Sequence, residues 1–125
     1  MEQQKPKDIK YLGVPNICFS LIKKDDKREE LFSKQRVERG FDDSETWSLR
    51  DTIANFIIPR LEAYENIAND FLVRDKKLID EIQLFLSAMK LIAKDNGACL
   101  LSDEEWEEVD KGLKTFANIF MSLWW

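Results

Sequence analysis

Two pairs of acids stand at helical spacing, Glu62-x-x-Glu65 and Glu107-x-x-Asp110. Residues three apart share a helix face, so each pair sets two carboxylates side by side. On facing helices, four such carboxylates could hold magnesium against a phosphoryl group. A third cluster, Asp42, Asp43 and Glu45, lies beside a turn and offers oxygen ligands to a divalent cation. The chain has no histidine. That absence removes the imidazole base, any histidine-based triad and the commonest nitrogen ligand for zinc or iron. Cys18 and Cys99 lie far apart, in no CxxC motif, each beside apolar neighbours. They read as small buried thiols, with a disulfide as the alternative.

Each acidic cluster also has a plainer reading. Asp42-x-x-Glu45 and Ser48-x-x-Asp51 are capping spacings, in which a side-chain oxygen accepts from a free N–H at a helix start. No metal is therefore assigned to the turn, and no cofactor to the chain. The two acid pairs resemble those of all-α nucleotide pyrophosphohydrolases only in part. The interval between them is longer, and the surrounding residues differ. A magnesium-dependent enzyme of that kind, with Glu62, Glu65, Glu107 and Asp110 as its acids, is the alternative to a protein without catalytic residues.

The elements that would position these residues are helices. The span 49–71 carries Leu49, Ile53, Phe56, Ile57, Leu61, Tyr64, Ala68 and Phe71 at three- and four-residue intervals. Pro59 lies inside it and predicts a kink near residues 55–59. A second helix over 76–94 has the stripe Ile79, Ile82, Leu86, Met89 and Ala93, and Asn96 or Gly97 suits its C-terminal cap. A third begins at the capping box Ser102-Asp-Glu-Glu105, with Leu101 spaced to staple against Trp106. Its stripe is Trp106, Val109, Leu113, Phe116, Phe120 and Trp124, with Trp106 in the core. A thinner helix over 27–38, ended by Gly40, has few apolar residues to hold it. Residues 17–22 read as a short strand or extended arm. The expectation is a mainly α protein: a bundle of three to four helices with a short extended N-terminal segment. One domain spans 11–125, after a polar, frayed tail at 1–10.

Charge and aromatic residues point to partners. The net charge is −5, with six acids against two lysines in residues 102–125. That balance argues against nucleic acid, because phosphate neutralisation needs clustered Lys and Arg. No apolar run reaches the ~20 residues that span a bilayer, so no membrane is assigned. Asp103, Glu104, Glu107 and Glu108 form a dense acidic patch that suits either helix-dipole compensation or a basic partner. Trp124 and Trp125 point about 100° apart on a helix, so both cannot face one core. One of them fits a subunit interface, and a homodimer through the last helix follows. Arg50 and Arg60 are expected to pair with acids such as Glu45 or Glu62. Trp47 and Arg60 flank the proline kink and offer a further contact surface.

The block Gly40, Phe41, Asp43, Trp47, Leu49, Pro59 and Leu61 resembles a family of small uncharacterised proteins of tailed phages and prophages. A second match is Ser102, Glu105, Trp106, Phe116 and Phe120. The likeness covers residues 40–72 and 102–120. Between its blocks that family often has a His-Gly segment, where this chain has Asn96-Gly97. The resemblance implies a phage-related origin and a setting in the bacterial host cytoplasm. It implies no activity.

Overall fold

The structure is a computed structural model that describes residues 18–71, 76–95 and 98–124, with side chains left undescribed at 68–71. Four α-helices and two 3₁₀ turns form among the described residues, and no strand does. They are α1 (Glu29–Arg39), a 3₁₀ turn (Asp43–Thr46), α2 (Leu49–Phe71), α3 (Lys76–Asp95), α4 (Asp103–Ile119) and a last 3₁₀ turn (Phe120–Ser122). The mainly α expectation holds. Two compact units divide the chain inside α2: Met1–Thr52 and Ile53–Trp125.

In the first unit, α1 ends where Gly40 adopts φ 85° and donates its N–H to Arg36 O at 2.8 Å. Only glycine takes that left-handed conformation without a Cβ penalty. The buried side of α1 differs from expectation. Phe32 is its one buried apolar residue, beside Glu29, Ser33 and Arg36. Polar residues thus pack the face that hydrophobic periodicity left thin. The capping reading of Asp42 and Glu45 is correct. Asp42 accepts from Ser44 N, and Glu45 returns a bond to the Asp42 N–H at 2.7 Å. The expected arm lies partly outside the described residues. Residues 18–22 form neither helix nor strand, and the N–H groups of Phe19 and Leu21 bind the Glu45 and Ser44 side chains, each at 2.8 Å.

The second unit packs Ala54 and Leu61 of α2 against Ile82, Phe85, Leu86, Ala88, Met89 and Ile92 of α3, and Val109 and Ile119 of α4. Phe85 stacks on Phe116 at 4.2 Å. The α3 stripe lies where its spacing put it. α2 follows expectation in part. Ile53 and Phe56 face out, and Ile57, Ile58, Leu61 and Tyr64 face in. The helix runs on through Pro59, which removes the N–H that Asn55 O would accept. One residue on, Arg60 Nη1 donates to Phe56 O at 2.8 Å, and the guanidinium lies 3.8 Å from the Phe56 ring centroid. This bond and cation–π contact tie the two turns together across the proline.

α4 begins at the expected capping box, with Glu105 N donating to Ser102 Oγ at 3.2 Å and Ser102 N to Glu105 Oε1 at 3.0 Å. Its inward face is Val109, Gly112 and Ile119, with Phe116 half-buried. Trp106 is not in the core, contrary to the sequence reading. Gly112 is the cause. A Cβ there would stand 2.4 Å from Ala88 Cβ and 2.7 Å from Leu84 O. The two backbones touch at this point, so α4 must turn Gly112 toward α3 and Trp106 outward. Gly112→Ala should gain up to about 1 kcal/mol of helix propensity. Overpacking costs about 1–3 kcal/mol or more and should win, because the clashing atoms are a Cβ and a carbonyl that cannot swing away. Urea unfolding should show a lower midpoint, and adding Ala88→Gly should restore part of it.

Candidate interaction surface

The first unit gathers its ionisable residues around one cation. Arg36 is buried, with Nη1 2.6 Å from Asp42 Oδ2 and Nη2 bonded to Glu29 Oε1. Asp42 Oδ1 accepts from Ser44 N at 2.9 Å. Glu45 Oε1 accepts from Phe19 N, and Oε2 from Asp42 N and the Cys18 thiol. Among the described residues, Cys18, Asp42 and Glu45 are the one group of three that brings metal-type ligand atoms within 4.8 Å of one another. Their lone pairs are already engaged, and Arg36 adds positive charge. Burial foremost pushes the Cys18 thiol up to about 11, against a lowering backbone bond at Ser20 and with Glu45 adding to the rise. A thiolate ligand is therefore scarce at neutral pH. The set is a structural knot. Cys99, expected to be buried, is exposed, and neither cysteine is in a disulfide.

Burial alone would raise the Asp42 carboxyl, but hydrogen bonds from Ser20, Ser44 and Arg36 outweigh it and hold the group below the usual aspartate range. A depressed folded value means that its stabilisation is complete above the unfolded pKa of about 3.9. It is lost as pH falls through the folded value. Stability should drop as pH falls below about 4, and Asp42→Asn should be less stable at pH 7 with a flatter acid limb in denaturant titrations. Arg36→Ala should cost about 3–5 kcal/mol at pH 7, because Glu29 and Asp42 stay buried without their cation.

The paired acids are not gathered into one site. Glu62 pairs with Lys90 at 3.2 Å. Both oxygens of Glu65 accept from Gln83 Nε2, at 2.7 and 2.8 Å. Asp110 pairs with Lys114 at 2.8 Å, and Glu107 stands exposed. Glu62 and Glu65 therefore spend charge or lone pairs on α3. Two of the expected contact residues fall in different units. Trp47 belongs to the first unit, edge-on to Phe32 with the Arg28 guanidinium 4.9 Å from its ring. Arg60 belongs to the second. Arg50 lies 3.8 Å from Asp51.

Of the predicted contact residues, the acids begin α4 and Trp124 follows the 3₁₀ turn after it. Trp106, Leu113 and Phe120 recur every seven residues and are 39, 47 and 59% exposed, and Met121 beside them is 83% exposed. Seven residues are nearly two turns, so the three make one line along the helix. Trp124 is exposed at its far end, and Trp125 lies outside the described residues. The chain end is anchored here, because Tyr64 OH donates to Trp124 O at 2.9 Å and Ser122 O at 3.2 Å. At the near end, Asp103, Glu104 and Glu107 are exposed. The rest of the acidic patch is engaged: Glu105 caps the helix, and Glu108 accepts from Ser87 Oγ at 2.6 Å. The Ser102 N–H is the first cause that holds the Glu105 carboxyl below the ordinary range. Sequence periodicity assigned Leu113 and Phe120 to the core, and Gly112 was the signal that could have moved them outward.

No family model, no curated protein and no solved structure matches this chain. Among the described residues, no helix is long and apolar enough to cross a membrane.

Proposed function

We propose that this is a non-enzymatic interaction protein that binds another macromolecule through the outer face of α4. The exposed line Trp106–Leu113–Phe120 carries this reading. Aromatic residues flanked by charge are the composition of binding hot spots, and this stripe leaves three large apolar side chains between 39 and 59% exposed. The acidic residues 103, 104 and 107 lie at its entry and suit a basic rim on a protein partner. The resemblance of the Gly40–Leu61 and Ser102–Phe120 blocks supports a phage accessory or host-interaction role in the bacterial cytoplasm. The alternative, a magnesium-dependent nucleotide hydrolase, finds three of its four acids, Glu62, Glu65 and Asp110, engaged by Lys90, Gln83 and Lys114.

Immobilised protein should retain a partner from bacterial lysate, and Leu113→Lys should lose it while keeping the native circular dichroism. Equal retention by both proteins would remove the α4 face from the proposal. With magnesium and a nucleoside triphosphate panel, pyrophosphate release should stay at the blank. Release abolished by Glu65→Gln would replace this reading with the hydrolase.

A further inference from the structure

We infer that the α4 ridge docks against the same ridge of a second copy, with the two helices antiparallel and Leu113 at the two-fold axis. This rests on the reading of the α4 face as a binding surface, and it names the occupant. Trp106 and Phe120 stand seven residues to either side of Leu113, about 10.5 Å along the helix in each direction. Reversing one copy about Leu113 therefore lays Leu113 on Leu113 and each Trp106 on the other copy's Phe120. An isologous contact requires this self-complementary spacing.

Charge selects the direction. The acids of α4 lie at 103, 104, 105, 107, 108 and 110, and residues 111–124 contain no acid and two lysines, Lys111 and Lys114. A parallel pair would set the exposed acids Asp103, Glu107 and Asp110 beside their own counterparts. The antiparallel pair lays each acidic half along the other copy's uncharged 116–123, and it brings Asp110 of one copy within reach of Lys114 of the other. Both are solvent-exposed, so they can exchange their mutual ion pair for a crossed one. The available surface is adequate in kind. At their exposures, Trp106, Phe120 and Trp124 offer on the order of 300–400 Å² of aromatic area. Leu113 and Met121 add to it, against about 800 Å² per partner in a standard interface.

Sedimentation equilibrium should give a dimer mass for the full chain. Leu113→Lys, at an exposed position, should raise the dimer dissociation constant by roughly 30-fold or more, and Met121→Lys should also weaken it. A monomer at high micromolar concentration overturns the pairing. Lysate retention that is lost in Leu113→Lys would then still support the binding surface, so the two failures are distinct. Direction is read by crosslinking in a Cys18→Ser, Cys99→Ser background. Leu113→Cys should form an intermolecular disulfide. Trp106→Cys should not pair with itself, because its copies lie about 21 Å apart along the axis, beyond disulfide reach. Mixed with Phe120→Cys it should pair. Self-crosslinking of Trp106→Cys, or a dimer in which Leu113→Cys never crosslinks, overturns the antiparallel arrangement.

Discussion

The close approach of α3 and α4 at Gly112 and Ala88 sets the rotation of the last helix, and the character of the surface follows from it. A helix can present only one stripe to its neighbour. Gly112 and Ala88 allow the backbones to touch, and dispersion over the surrounding side chains favours that contact. Once Gly112 faces inward, Val109, Phe116 and Ile119 follow it, and Trp106, Leu113 and Phe120 turn outward. Exposed aromatic surface is here the geometric result of a small residue on the adjoining face of the helix, about 100° away.

The first unit is held by a different kind of interaction. Its centre is a buried guanidinium between two carboxylates, with hydroxyl and amide donors on Asp42, while Arg36 Nε and Glu29 Oε2 stay buried without a hydrogen bond. Such an arrangement need not stabilise more than an apolar core would, because desolvation offsets much of the attraction. It does demand a particular geometry. Arg36 must meet Glu29 and Asp42 together, which fixes α1 against the turn that follows it. Asp42 and Glu45 also cap that turn, so the same carboxylates set local and tertiary structure.

Local signals in the sequence were legible, because they are written within a few residues. Gly40 ended α1, Ser102 and Glu105 began α4, and Asp42 and Glu45 formed their capping box. The α3 stripe was also correct, since that helix is flanked by apolar surface and its period is unambiguous. Helix phase was less legible. In α2 and α4 the apolar residues are more numerous than one stripe can hold, and periodicity alone cannot say which of two adjacent lines faces in. Neither could it show that Arg36 is buried, because its partners are Glu29, seven residues back on the same helix, and Asp42, six residues on at the following turn. The acid pairs had helical spacing but no convergence, since tertiary placement gave each a different neighbour.

The phenol of Tyr64 closes a loop of sixty residues onto the chain's last turn, whereas Ser87 and Glu108 close only twenty-one. Loop-closure entropy grows slowly, so the longer loop costs only about 0.9 kcal/mol more. One phenol proton shared by two carbonyls contributes about 0.5–1.5 kcal/mol net. Leu123, in the same stretch, packs against the apolar core, so burial and the phenol bond both hold it. The aromatic line is thus tied down at both ends, by the capping box before Trp106 and by Tyr64 beyond Phe120.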